Sequence, residues 1–196
     1  MPTYSGKIAS RNQKERNMKI LVFTEGTILM HSTCGGITRE QRAQQSKNRV
    51  RTYINTLLKQ VSRIRSIHDY RNYIPVGNAV KKLNNWKRQE AEIYYLTSRT
   101  APEEIADIQS VLNKYNFPDN QNLLYRKQGE QYKDVAERLL PDIIVEDDCE
   151  SIGGEIEMTY PHIRADLKSK IKSIIVKEFG GIDHLPNDIK ELFTIQ

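Results

Sequence analysis

The sequence predicts an α/β protein with a doubly wound, Rossmann-like parallel sheet, helices on both faces and a small helical cap insert. Short apolar segments alternate with amphipathic segments of helical length from residue 75 onward, and strands that alternate with helices form parallel sheets. The length of 196 residues suits one domain. We predict that this domain covers residues 18–196 and that residues 1–17 form a flexible basic tail before it.

Composition excludes several other classes of protein. Hydrophobic residues make up 38% of the chain and charged residues 28%, and the apolar residues cluster, unlike those of a disordered chain. No apolar run is long enough to cross a membrane as a helix, and the first residues lack the apolar region of a signal peptide. The two cysteines, Cys34 and Cys149, form neither a disulfide framework nor a zinc site. We therefore expect a cytoplasmic protein.

Five apolar segments are predicted to form the strands of the sheet. The first, KILVF at residues 19–23, is short and continuous and ends before Gly26, as a buried strand does. The remaining strands are predicted at residues 93–96, 123–125, 142–145 and 171–176.

Four segments have apolar residues at helical spacing and are predicted to be helices. Thr38, followed three residues later by Gln41, resembles a capping box. Pro102 stands in the first turn of its helix, where proline is favoured. The predicted helices cover residues 38–67, 77–89, 102–115 and 129–139, the first of them as one long helix or as two.

Basic charge is concentrated at the start of the chain. Residues 1–67 contain 13 Lys and Arg residues against 3 Asp and Glu, whereas residues 68–196 contain 17 against 22. The excess indicates either a surface that binds anions or the solubilising face of a long helix. The basic residues that could contact a polyanion are Lys47, Arg49, Arg51, Arg63 and Arg65.

Polar side chains follow four of the predicted strands. Ligands of parallel α/β sheets bind beyond the carboxyl ends of the strands, so these side chains are the candidate site. The candidate site residues are Glu25, Gly26 and Thr27 after the first strand, Thr97, Ser98 and Arg99 after the second, Arg126 and Lys127 after the third, and Glu146, Asp147 and Asp148 after the fourth.

The three adjacent acids after the fourth strand suggest a metal site. Like charges repel, and a hard divalent cation such as Mg²⁺ relieves that repulsion through one or two carboxylates, phosphate oxygens and waters. We therefore expect weak Mg²⁺ binding at Asp147 and Asp148. The alternative is a solvated turn that leads into a helix, because acids also stabilise helix N-termini.

The order of these motifs resembles the haloacid dehalogenase superfamily of phosphohydrolases. The resemblance covers about residues 18–178, with EGT after the first strand, YYLTSR at the second, then Lys133, then IIVEDD at the fourth. In that superfamily the first strand ends in DxDGT, whose first Asp attacks phosphorus and whose second is the general acid/base. The resemblance implies a Rossmann-like fold and a Mg²⁺-dependent phosphatase-type hydrolase.

The resemblance also implies roles for individual residues. Glu25 matches the general acid/base, with Gly26 and Thr27 in step, and Thr97 matches the hydroxyl that holds the phosphate. Lys133 is the best match for the phosphate-binding lysine, with Lys127 second. Asp147 and Asp148 match the acids that complete the Mg²⁺ site.

Phe23 departs from the pattern of the superfamily. Counting back from Gly26, it stands where the nucleophilic Asp belongs, and its side chain has no nucleophile and no metal ligand. Two interpretations follow. The chain is a non-catalytic relative that binds a phosphorylated ligand or a partner, or it hydrolyses phosphate through a metal-activated water with Glu25 as the base.

The segment at about residues 30–74 lies where the superfamily often inserts a cap, which closes over the site and selects the substrate. A helical, basic cap suits a phosphorylated small molecule, a nucleotide or nucleic acid. Alternatively, the apolar stripe from Val50 to Ile64 pairs with a second copy of the chain, which would give a homodimer.

Overall fold

Five parallel strands form the central sheet of this protein. The computed structural model describes residues 16–56 and 68–195, with the side chains of all of these except residues 49–56. The strands, in chain order, are β1 (Lys19–Phe23), β2 (Leu29–Met30), β3 (Ile74–Pro75), β4 (Glu92–Leu96), β5 (Leu123–Leu124), β6 (Ile143–Asp147) and β7 (Lys172–Val176). The main sheet has the order β5-β4-β1-β6-β7, and β2 pairs with β3 in a separate antiparallel pair.

Helices lie on both faces of the sheet, so the predicted fold class is confirmed. They are α1 (Arg39–Thr56), α2 (Ala79–Lys87), α3 (Pro102–Lys114), α4 (Tyr132–Leu139) and α5 (Ala165–Lys168). The predicted first helix begins one residue before α1, and its residues 57–67 lie outside the described part of the chain. No helix in the described ranges is both long and apolar enough to span a membrane.

The alternation of side chains along β1 divides the core into two clusters. Ile20 and Val22 pack on one face with residues of α2 and α3, including the fully buried Trp86. Leu21 packs on the other face with Val135 of α4 and Leu167 of α5. Because both faces are covered, the central strand is apolar throughout its length, as is usual in parallel sheets.

The fourth strand of the main sheet is longer than predicted. The prediction ends this strand at Val145 and places the acids after it, whereas β6 continues through Glu146 and Asp147. The cause is β7, which pairs with β6 up to the partners Asp147 and Val176. The strand therefore carries two acidic side chains into a buried position at the edge of the sheet where it ends.

The pairing of β2 with β3 is not predicted from the sequence, because two residues per strand are too few to show a period. Leu29 pairs with Pro75, and Met30 with Ile74. The two ends of the segment predicted as a cap insert therefore meet in this strand pair, and Tyr70 and Tyr73 near its second end pack in the main core.

Candidate functional site

A cavity of about 300 Å³ opens at the carboxyl ends of the strands. The sheet side of this cleft is formed by residues at or after the ends of β1, β4, β6 and β7, and the other side by residues between 31 and 46 and between 68 and 73. The sheet contributes Phe23, Glu25, Gly26, Ser98, Arg99, Glu146, Asp147, Glu178 and Phe179. The position agrees with the rule that parallel α/β sheets bind ligands at this edge.

The Glu25 carboxylate is held against the end of β4. One of its oxygens, Oε1, accepts a hydrogen bond from Thr97 Oγ1 at 2.6 Å. The other, Oε2, accepts from the backbone N–H of Ser98 at 3.0 Å and from Thr24 Oγ1 at 2.6 Å. Arg99 Nε lies 3.5 Å from Oε1. Three donors and a guanidinium therefore surround an anionic group at this point.

Arg99 is fixed in the cleft by aromatic and hydroxyl groups. Its guanidinium carbon lies 4.6 Å from the centre of the Tyr70 ring, and it also donates to the Tyr70 hydroxyl and to Ser98 Oγ. Burial opposes its positive charge, but Glu25, Tyr70, Tyr73 and Glu104 together outweigh this effect and raise the pKa of Arg99 overall. The guanidinium is therefore a permanent, preorganised cation beside the strand ends.

Asp147 lies beneath the cleft and is 6% exposed. Its Oδ2 accepts a hydrogen bond from Thr27 Oγ1 at 2.8 Å, and its Oδ1 accepts from the backbone N–H of Cys149 at 3.0 Å. Burial raises the pKa of its carboxyl group to about 6, and the neighbouring carboxylates of Asp148 and Glu146 act in the same direction. Asp147 is thus a buried acid without a cation beside it among the described side chains.

Gly26 is required by the close approach of the Asp147 carboxylate. Its φ is +86°, and a Cβ atom built on it would lie 2.7 Å from Asp147 Oδ2. An L-residue there would be strained by its backbone and would also displace Asp147. The glycine of the EGT motif therefore lets the loop after β1 pack closely against the end of β6.

We expect Gly26→Ala to lower the free energy of unfolding by about 2 kcal/mol or more, since backbone strain and a steric contact add at this position. Gly129→Ala is the matched control, because Gly129 has a φ of +82° and no atom within 4 Å of its Cβ position. Urea unfolding of both variants gives the comparison. Equal losses in the two variants would contradict the role assigned to the Asp147 contact.

The other acids near β6 hold neighbouring loops. Glu146 accepts hydrogen bonds from the backbone N–H groups of Thr159 and Tyr160, at 2.7 and 2.9 Å. Asp148 does not line the cleft: its Oδ2 is 2.8 Å from Lys177 Nζ, and its Oδ1 accepts from the N–H of Glu178 at 3.1 Å. The expected pairing of Asp147 with Asp148 around one ion is therefore not what the structure shows.

The residues present do not fit a Mg²⁺ ion. Phe23 offers no oxygen, Asp148 is bound to Lys177, and Glu25 is held by the end of β4, which leaves Asp147 as the one predicted ligand facing the cavity. Within residues 16–56 and 68–195, no group of three or more His, Cys, Asp or Glu side chains could hold a metal ion.

The predicted cations after β5 lie elsewhere. Lys133 and Arg126 line a second cavity on the far side of Tyr132, because α4 begins at Tyr132 and presents that ring to the cleft instead of the lysine. Lys127 is exposed, and its backbone N–H donates to Glu130 Oε2 at 2.8 Å. The structure therefore brings together Glu25, Gly26, Thr97, Ser98, Arg99 and Asp147, with Thr27 beneath them.

Aromatic residues that the sequence does not predict as site residues form one wall of the cleft. Tyr70 and Tyr73 pack with ring centres 5.4 Å apart, and both line the cavity. They belong to the run DYRNY, just before β3, and this density of tyrosine is the signal in the sequence that could have identified them.

Two solved structures of the class C acid phosphatase from Bacillus anthracis are similar to this chain. The structure with tungstate bound aligns with a TM-score of 0.52 at 14% identity, over 86% of this chain and 70% of that chain. The second structure aligns with a TM-score of 0.52 at 13% identity, over the same shares. No protein-family model and no curated protein matches the sequence. The structural likeness supports the fold, a parallel α/β sheet with helices on both faces.

Proposed function

We propose that the cleft of this phosphatase-like domain binds a phosphorylated ligand without transferring its phosphoryl group to the protein. The observation that carries this proposal is Phe23. It stands two residues before Glu25, where the superfamily has its nucleophile, and its ring lines the cleft. The ring packs edge-on against Tyr132 with centres 5.8 Å apart. A phenyl ring cannot attack phosphorus, so the covalent step has no residue to perform it.

Binding of an oxyanion is supported by the donors around Glu25. Thr97 Oγ1 and the N–H of Ser98 already hold two carboxylate oxygens, with the Arg99 guanidinium beside them. Phosphate oxygens accept the same charge-assisted hydrogen bonds. One structural neighbour was determined with tungstate bound, an oxyanion that resembles phosphate in shape and charge. A ligand phosphate would take these donors from Glu25, so the carboxylate competes with the ligand.

The aromatic wall favours a ligand with a flat apolar group, and we take a nucleoside monophosphate as the ligand class. Tyr70, Tyr73 and Tyr132 all line the cleft together with Phe23. Tyr70 and Tyr73 are buried, so the half-buried rings of Phe23 and Tyr132 are the surfaces on which a base would stack. Half of the ligand would then meet the polar strand ends and half the aromatic side chains.

Binding of a long polyanion through the basic insert stays a prediction. Lys47 lies 3.0 Å from Glu150, and Arg39 lies 2.9 Å from the same carboxylate, so both cations already have a partner. The side chains of Arg49, Arg51, Arg63 and Arg65 lie outside the described part of the chain, as does most of the apolar stripe proposed for a homodimer. The observations therefore favour the cleft over the insert.

Calorimetric titration with AMP and UMP tests the proposal. We expect Arg99→Gln to weaken binding about tenfold, because it removes a charge-assisted contact. We expect Glu25→Gln to strengthen binding, because a neutral amide competes less well for Thr97 and Ser98. Arg164→Gln is the control, since Arg164 is exposed and does not line the cleft.

Two results would contradict the proposed function. The first is the absence of any heat of binding at millimolar nucleotide. The second is steady release of phosphate by the wild-type protein that Glu25→Gln abolishes, which would instead support Glu25 as the base of a hydrolase that uses water.

A further inference from the structure

A second cavity of about 260 Å³ lies beside the cleft, on the other side of Tyr132. It is lined by Arg126, which follows β5, by the first residues of α4, and by the segment from Ile156 to His162. Tyr132 and Glu157 line both cavities. The second cavity holds none of the groups that surround Glu25.

Arg126 has a buried nitrogen that lacks an acceptor. Its guanidinium carbon lies 4.0 Å from the centre of the Tyr132 ring, which fixes the side chain over that face. Its Nε is fully buried and makes no hydrogen bond. A buried, charged N–H group without a partner costs free energy, and such groups are rare unless a ligand or water supplies the acceptor.

The charges around this cavity are also unbalanced. Neither Arg126 nor Lys133 forms an ion pair with any acid in the described ranges. Both lie at or near the first turn of α4, where the helix dipole adds positive potential. Thr159 is 1% exposed, and its hydroxyl lies near Glu146 without a hydrogen bond of ordinary geometry. The opposing charge is Glu157, which is exposed.

We infer that this second cavity is a phosphate-binding site, with the Arg126 guanidinium and the Lys133 ammonium group as its cationic groups. A phosphate group accepts charge-assisted hydrogen bonds and balances two like charges that share one cavity. Thr159 adds a neutral hydroxyl on the cavity wall. The inference does not depend on the function proposed for the cleft, because none of these three residues lines the cleft.

Titration with inorganic phosphate, followed by NMR, tests the inference. The Nε–Hε signal of Arg126, assigned by its loss in Arg126→Gln, should shift with added phosphate and saturate. Lys133→Gln should raise the Kd for this shift about tenfold, which corresponds to ~1.4 kcal/mol. Lys170→Gln removes an exposed lysine outside both cavities and should leave the Kd unchanged.

Further variants separate the two sites. Arg99→Gln alters the cleft alone and should leave the shift of the Arg126 signal intact, whereas Glu157→Gln should strengthen binding by removing the opposing charge. A shift that vanishes in Arg99→Gln but survives Lys133→Gln would overturn the inference and assign the phosphate to the cleft. An Arg126 signal that does not respond to millimolar phosphate at constant ionic strength would also overturn it.

Discussion

The Phe23→Asp variant should release phosphate from nucleoside monophosphates at a rate on the order of 100-fold above that of the wild-type protein. The substitution places a carboxylate at the end of β1, in the cleft that Ser98 and Arg99 also line. We expect a rate increase far below the ~10⁶-fold that a nucleophile contributes in a fully organised active site, because the remaining groups are not arranged for that chemistry. Continuous phosphate detection with purified variants measures the effect.

Phe23→Asn is the matched control for this experiment. It removes the same half-buried ring from the contact with Tyr132 and adds a side chain of the same size, but it supplies no nucleophile. Both variants should lose similar stability, by about 1–3 kcal/mol, from the lost packing. A folded Phe23→Asp variant that is as inactive as Phe23→Asn would show that more than one missing carboxylate separates this cleft from a phosphatase.

The same variant also tests the metal site. An aspartate at position 23 would face the cavity together with Asp147, and two carboxylates are a common protein contribution to a Mg²⁺ site. We expect millimolar Mg²⁺ to raise the Tm of Phe23→Asp, since a ligand that binds only the folded state stabilises it. The wild-type protein and Phe23→Asn should show no such rise, and an equal rise in all three would contradict the conclusion that the native residues do not fit this ion.

Protein stability should fall as pH rises through the titration of Asp147. Burial raises the pKa of this carboxyl group from 3.8 to about 6, so the folded state binds the proton more tightly than the unfolded state does. The free energy of unfolding should therefore fall between about pH 4 and pH 6 and stay lower above that range, by up to about 3 kcal/mol from this group.

Comparison with Asp147→Asn isolates this contribution. Burial also raises the pKa values of Glu146 and Glu178, and both remain in the variant, so the difference between the two proteins reports Asp147 together with its effect on the neighbouring carboxylates. Urea unfolding at several pH values gives that difference. A difference in unfolding free energy that stays constant from pH 4 to pH 7 would show that folding does not change the pKa of Asp147.

Asp148→Asn is a control, because Asp148 should make the free energy of unfolding depend on pH in the opposite direction. Although burial acts to raise it, the pKa of Asp148 is lowered overall by Lys177 and the N–H of Glu178. This carboxylate therefore stabilises the folded protein above its ordinary pKa, and its contribution is lost as pH falls. Adjacent acids at the end of one strand should thus change stability in opposite directions.

The sequence by itself determined the elements whose signal is local. The strand at residues 19–23 is confirmed as β1, because a continuous apolar run between polar segments is buried on both faces wherever it lies. The helix that begins at Pro102 is confirmed as α3, since proline position and apolar spacing both belong to a few neighbouring residues. Local apolar runs also predicted that Glu25 and Thr97 follow strand ends. Because the strands pair in parallel, those ends lie at the same edge of the sheet.

Only the tertiary structure decided what each site residue contacts. Asp148 pairs with Lys177, and β7 extends β6 through Asp147, although these partners lie about thirty residues further along the chain. Lys133 stays outside the cleft because the neighbouring Tyr132 takes that face of α4. A pattern of residue types records burial and helix or strand period, but the partner of a charged group depends on which distant segment packs beside it. Periodicity therefore located the edge of the sheet where the site lies, and long-range packing determined which charges meet there.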